Sequence, residues 1–191
     1  MDTGLLILRV VLGLLLAAHG TQKLFGWFGG HGLEGVSGWF HSIGFRPGRP
    51  MAVAAGVAEA VGGLLLVLGF LTPFAGAAVV GTMVVAASVH RENGVWATAG
   101  GYELALVYAV AGLALAVAGP GEASVDAWFD LDDSWSAALG LVTCGLAALT
   151  GLVLTGRAGH VVRSEAAADA IDLRDPEGVS TTGAAPARSG R

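Results

Sequence analysis

The strongest constraint on this chain is a series of five apolar segments, each about as long as a helix needs to cross a bilayer. At about 1.5 Å per residue, a hydrocarbon layer of about 30 Å takes roughly 20 residues. With 54% hydrophobic and 13% charged residues over 191 positions, the composition is that of a polytopic membrane protein. We therefore predict an all-α membrane helix bundle. Its five spans occupy residues 4–25, 51–71, 73–90, 103–119 and 136–155.

Charge and cysteine content exclude several function classes. The formal net charge is -5, and the chain has no run of Lys or Arg to neutralise phosphates, so we predict no nucleic-acid partner. Cys144 is the only cysteine and lies inside an apolar segment. A lone thiol cannot form an intrachain disulfide, a CxxC redox pair or a cysteine metal site. We predict that Cys144 is a small packing residue and that the chain has no metal site.

The segments outside the spans also have distinct compositions. Residues 26–50 are broken by Gly and Pro but contain Trp27, Phe28 and Trp39, which are suited to the headgroup layer, so we expect a short interfacial helix there. The first span has no Lys or Arg before it, and we expect a retained helix rather than a signal peptide. Residues 157–191 lack aromatic side chains, and we predict a disordered tail with a fraying helix near Ser164–Leu173.

The basic residues predict the orientation of the bundle. Five spans place the two termini on opposite sides, with the loops 26–50 and 91–102 on the side of the tail. Nine of the ten basic residues fall on that side or at its edge: Lys23, Arg46, Arg49, Arg91, Arg157, Arg163, Arg174, Arg188 and Arg191. By the positive-inside rule, the tail is cytoplasmic and the N-terminus lies outside.

Five ionisable residues converge on the cytoplasmic half of the predicted bundle. They are His19, Lys23, Glu59, His90 and Glu103. Ionisable groups in hydrocarbon are expensive and usually face partners or a functional cavity. They could donate and accept protons near neutral pH, because burial and neighbouring charges act on them in opposite directions. The structural alternative is that Lys23 and Glu103 reach the interface, His90 caps its helix, and only Glu59 is buried.

Helix faces favour an inward position for Glu59. It shares one stripe with Ala52, Gly56 and Gly63, and small residues at this spacing let helices approach closely. Near the opposite rim, Arg9 is predicted to form a structural ion pair with Asp126.

Several motifs, taken together, resemble the DoxX family of small bacterial membrane proteins. The resemblance covers roughly residues 4–130. It rests on His19-Gly20-x-x-Lys23-Leu24-Phe25, Glu59 before Gly62-Gly63, His90, Gly101-x-Glu103, and Gly119-Pro120-Gly121-x-x-Ser124-x-Asp126. It implies a four-helix membrane bundle in a bacterial plasma membrane. It also implies a relation to the DoxD-type subunit of thiosulfate:quinone oxidoreductase and, in some bacteria, a complex with superoxide dismutase and a sulfurtransferase.

This resemblance divides the chain into three parts. Residues 1–130 are the DoxX-like core, 131–156 an additional transmembrane helix, and 157–191 the cytoplasmic tail. The fifth span and the tail depart from the four-helix pattern, so we expect them to alter the set of partners.

Three function hypotheses follow. The first is a subunit of a quinone- or thiol-linked oxidoreductase, whose five polar residues bind a quinone headgroup or a sulfur oxyanion and move protons. It requires a redox partner or a bound quinone, because the sequence has no flavin motif, dinucleotide fingerprint or cysteine cluster. The second is haem ligation by His19 and His90, disfavoured because both lie near helix ends beside charged groups. The third is a non-enzymatic scaffold or lipophile-binding module that recruits cytosolic enzymes.

Overall fold

The computed structural model describes residues 2–172, which form seven α-helices without any strand. The predicted all-α membrane bundle is confirmed: α1, α3, α4 and α7 are long and apolar enough to cross a membrane. The helices are α1 (Asp2–Phe25), α2 (Gly32–Ser42), α3 (Gly48–Leu68), α4 (Thr72–His90), α5 (Glu103–Ala118), α6 (Val125–Trp128) and α7 (Ala137–Asp172).

Two helices differ in length from their predicted spans. With 16 residues, α5 is about 24 Å long, less than a full hydrocarbon layer. Its end coincides with Gly119 and Pro120, which interrupt the helix. In contrast, α7 has 36 residues and is about 54 Å long, so it extends well beyond one layer.

Helix α7 continues past residue 157, where the tail is predicted to begin, and its last turns coincide with the helix predicted near Ser164–Leu173. Residues 157–172 continue the helix, whereas 173–191 lie outside the described residues. Two contacts support the extension: Ala158 packs with Phe45, and Glu165 pairs with Arg46. The alanine-rich stretch 166–170 also favours helix.

Glycines set a close helix crossing between α1 and α3. A Cβ atom added to Gly13 would lie 2.4 Å from the carbonyl oxygen of Gly63, and one added to Gly20 would lie 2.4 Å from the amide nitrogen of Ala60. The two backbones therefore touch, as in other close membrane-helix pairs. The inward stripe predicted for α3 is confirmed, because Ala52, Gly56, Glu59 and Gly63 are all buried.

This crossing gives a stability prediction. Gly20→Leu should lower the free energy of unfolding by about 1–3 kcal/mol, because the added side chain must push α1 away from α3. The matched control is Gly145→Leu on α7, where an added Cβ meets nothing within 4 Å. Unfolding of both variants in detergent checks the prediction, and equal stability of the two would contradict it.

Helix α4 is the centre of the rest of the bundle. It contacts α3, α5 and α7, whereas α3 and α7 are not packed against each other and leave a groove over α4. Cys144 on α7 is 2% exposed and lies in an apolar cluster with Ala77, Val80 and Ala116, so it is a packing residue as predicted.

The topology brings the site residues to one end of the bundle. Helices α1, α4 and α7 finish at this end, and α3 and α5 begin there, with α2 lying across it. We call it the α2 end. Exposed aromatic side chains mark both ends: Trp27, Phe28 and Trp96 at the α2 end, and Trp128 and Phe129 at the other. Such belts are typical of the two membrane interfaces.

Candidate functional site

An ion pair between α1 and α3 lies at the centre of the candidate site. The Nζ atom of Lys23 donates a hydrogen bond to Oε2 of Glu59. The two side chains meet because the glycine crossing holds the antiparallel helices together. Glu59 is only 4% exposed and Lys23 is 27% exposed. The Glu59 carboxylate therefore faces a partner inside the bundle rather than acyl chains, as a charge at this depth requires.

The ion pair forms part of the lining of a cavity in the groove over α4, with a volume of about 480 Å³. We call it the groove cavity. Its lining is mostly apolar and comes from α1, α2, α3, α4, α7 and the α2–α3 connection. His90 is a third ionisable residue in this lining. The apolar and small side chains include Trp39, Phe40, Phe45, Met51, Ala54, Ala58, Gly81, Val85, Ala147 and Leu154.

His90 keeps one ring nitrogen available. Its Nδ1 atom lies 2.8 Å from the carbonyl oxygen of Ala86, one turn earlier in α4. A carbonyl oxygen only accepts hydrogen bonds, so Nδ1 carries a proton, and in the neutral imidazole Nε2 is an acceptor. His90 therefore binds the main chain of its own helix and also lines the groove cavity.

A second cavity, of about 650 Å³, lies next to the first at the α2 end. We call it the rim cavity; its lining includes His19, Gln22, Lys23, His31 and Trp39. Lys23 and Trp39 line both cavities. His19 meets the ring of Tyr108 on α5 edge-on, with ring centroids 6.0 Å apart, and its buried Nδ1 has no hydrogen-bond partner in residues 2–172.

Glu103 is held apart from this group. Its Oε2 accepts a hydrogen bond from the amide of Ala97 at 2.9 Å, and its own amide donates to the carbonyl of Val95 at 2.8 Å. It lines neither the groove cavity nor the rim cavity. Of the five predicted site residues, three line the groove cavity, His19 joins Lys23 in the rim cavity, and Glu103 closes the loop before α5.

Arg9 and Asp126, the predicted ion pair, lie at the same end of the bundle, but each binds other groups. Arg9, 2% exposed, donates to the carbonyl oxygens of Pro120 and Ala123. Asp126, fully buried, accepts from the amides of Leu71 and Thr72 and from the Thr72 hydroxyl. Within the described residues no direct ion pair joins the two charges. Main-chain groups at the turn and at the start of α4 compete successfully for both side chains, which nevertheless tie the same end of the bundle together.

Sequence reasoning missed the contributions of α5 and α7. Tyr108 packs on His19, and Thr150 and Leu154 line the groove cavity. The hydroxyl of Thr150 donates to the carbonyl of Leu146 in its own helix. In sequence such a threonine cannot be distinguished from one facing lipid. Only Tyr108 carries a signal, because a tyrosine within an apolar span usually needs a polar or aromatic neighbour.

Comparison with known proteins supports the family resemblance. A family model described as DoxX matches residues 4–91, which include α1 to α4 together with Lys23, Glu59 and His90. Helices α5 and α7 lie outside the matched segment. No curated protein and no solved structure matches the chain.

Proposed function

We propose, from the DoxX family match over residues 4–91, that this integral membrane protein is a subunit of a quinone- or thiol-linked oxidoreductase. Its groove cavity binds the headgroup of a membrane quinone. The cavity lies in the cytoplasmic half of a bacterial plasma membrane, with the N-terminus outside and the tail in the cytoplasm. The basic loops at the α2 end support this orientation.

The observation that carries the proposal is an ion pair with a buried carboxylate in the lining of a mostly apolar cavity. A volume of about 480 Å³ is typical of small-molecule sites, which are mainly apolar with a few convergent polar groups. The Lys23 ammonium can donate a hydrogen bond to a carbonyl oxygen. The Glu59 carboxylate and Nε2 of His90 can accept hydrogen bonds from hydroxyl groups. This combination suits a headgroup that changes from carbonyl to hydroxyl when it is reduced.

The proton and electron requirements define the partners. Reduction of a quinone to a quinol takes up two electrons and two protons. Glu59 and His90 are the residues placed to hold or pass protons, and Lys23 orients the headgroup. The electrons come from a partner enzyme, in the membrane or the cytoplasm, that oxidises thiosulfate or a thiol. His19 and Lys23 line the adjoining rim cavity, which could admit protons from the aqueous side.

A non-enzymatic role is the second candidate. The C-terminal part of α7 extends beyond the length of one hydrocarbon layer, and residues 162–170 are exposed. That surface is available to recruit a cytosolic enzyme while the groove cavity holds a lipophile. If mutation of this surface abolished co-purification of a cytosolic enzyme and Glu59→Gln did not, the result would favour the scaffold role. Haem ligation has no support, because His19 and His90 line different cavities.

Quinone-linked oxidation in isolated membranes tests the proposed activity. Membranes of a deletion strain that carries the unchanged gene should couple thiosulfate oxidation to quinone reduction. Glu59→Gln should lower this rate by about 100-fold or more, because it removes a proton-transfer group, and His19→Ala should also abolish it. The control is Asp133→Asn, at an exposed carboxylate at the opposite end of the bundle. Membranes with no activity above the deletion strain would contradict the proposal.

A further inference from the structure

We infer that the ligand of the groove cavity enters from the hydrocarbon layer through the gap between α3 and α7, and that α7 determines which lipophiles fit. The ligand is a lipophile with one polar head: its head lies at Lys23, Glu59 and His90, and its tail leaves between the two helices. The inference rests on the proposed function and adds the route of access and the role of a helix outside the DoxX match.

The gap results from how three helices pack. Both α3 and α7 pack on α4, but they are not packed against each other. The floor between them is formed by small residues of α4, including Ala77, Ala78 and Gly81. Their short side chains make the groove deep enough to hold a chain of carbon atoms, so the cavity is a slot with helices on three sides.

The residues beside the slot show what lies outside it. Ala54 on α3 and Thr150 on α7 line the cavity and are also exposed, so they stand at its mouth. Next to them, Val53 is 37% exposed and Leu149 is 58% exposed, and neither lines the cavity. Aliphatic side chains exposed on membrane-spanning helices face acyl chains. The mouth therefore opens to the hydrocarbon layer.

The α2 end of the slot is covered. Phe40 and Phe45 pack with Ala158, and Leu154 joins this cluster from α7. An added Cβ on Gly44 would lie 2.2 Å from the carbonyl oxygen of Ala158, so the loop before α3 touches the backbone of α7. These contacts join the two helices beyond the mouth. They leave the lateral opening as the route for an apolar chain.

Charge and size indicate the class of ligand. The ionisable groups of the slot are Lys23, Glu59 and His90, which all suit a single polar head. A cavity of about 480 Å³ holds such a head with the first part of a tail. The rest of the tail then remains among the lipids. Prenyl or alkyl quinones have this form, whereas a water-soluble substrate would gain nothing from a lateral mouth.

Plugging the mouth tests the inference. Ala54→Phe and Thr150→Phe place a ring in the opening, and Val53→Phe and Leu149→Phe place the same ring one residue away, facing lipid. The protein is reconstituted in lipid nanodiscs, and decylubiquinone binding is followed by quenching of the fluorescence of Trp39, with Trp39→Phe as the background. The two plugging variants should bind at least about tenfold more slowly or more weakly, and the two neighbours should bind like the unchanged protein.

A second measurement on the unchanged protein keeps the inference falsifiable if the plugged variants do not fold. An azidoquinone with the photoreactive group on its tail should label peptides from 48–68 and 137–157. Label confined to residues 26–31, or plugged variants that bind like their neighbours, would overturn lateral entry while leaving quinone binding intact. An unchanged protein that binds no quinone would instead remove the proposed function.

Discussion

Replacing Asp126 with Ala is expected to lower the free energy of unfolding by about 3–5 kcal/mol. The fully buried carboxylate accepts three hydrogen bonds, at 2.8 Å from the Leu71 amide, 3.0 Å from the Thr72 amide and 2.9 Å from the Thr72 hydroxyl. All three donors lie at the start of α4, the helix on which the bundle is assembled. Alanine would leave them buried and unpaired, and negative charge at a helix N-terminus is itself favourable.

Thermal unfolding of the detergent-solubilised protein measures this effect, and two variants calibrate it. Asp126→Asn keeps one oxygen acceptor, so its loss should be intermediate. Asp133→Ala, at an exposed position in the same acidic stretch, should leave stability within about 0.5 kcal/mol of the unchanged protein. If Asp126→Ala were as stable as Asp133→Ala, the assigned role of Asp126 in holding α4 would be wrong.

Breaking the Lys23–Glu59 pair is expected to have the second large effect. Lys23→Met should destabilise the protein by about 3 kcal/mol, because it leaves the buried Glu59 carboxylate without a partner. The double variant Lys23→Met/Glu59→Leu removes both charges and should recover much of that loss, since two apolar side chains can replace a buried pair. A double-mutant cycle on unfolding free energies measures the coupling between the two residues.

The exposed pair between Arg46 and Glu165 is the control for this cycle. Its side chains are 38% and 47% exposed, so Arg46→Ala should cost less than about 1 kcal/mol. The coupling free energy between Lys23 and Glu59 should exceed that of the exposed pair. If it does not, the Lys23–Glu59 pair stabilises the protein no more than a surface ion pair. That result would also weaken the case for a charged binding site at this depth.

The fold was largely predictable because the hydropathy of each segment indicates whether lipid or water surrounds it. Five apolar segments gave five helices, and threading them through a bilayer correctly brought Lys23 and Glu59 to the same end. Helix length was less predictable. The extension of α7 depends on contacts of Ala158 and Glu165 with the loop before α3, and such tertiary contacts leave no periodic signal in sequence.

The differences between the predicted and the observed contacts of three charged residues share one physical cause. Glu103, Arg9 and Asp126 all bind main-chain groups of nearby turns or helix ends. A prediction that pairs charged side chains only with one another overlooks the main-chain groups that also bind them. The gap between α3 and α7 could not be predicted for another reason: it depends on two helices that both pack on α4 but share few contacts with each other.

The central claim is that Lys23, Glu59 and His90 bind the polar head of a lipophile. Direct binding of a quinone tests it. The purified protein in nanodiscs is titrated with decylubiquinone while the fluorescence of Trp39 is recorded. We predict saturable quenching, at least about tenfold weaker binding for Glu59→Gln, and unchanged binding for the exposed-carboxylate control Glu165→Gln. Non-saturable quenching in the unchanged protein, or equal affinity in Glu59→Gln, would contradict the claim.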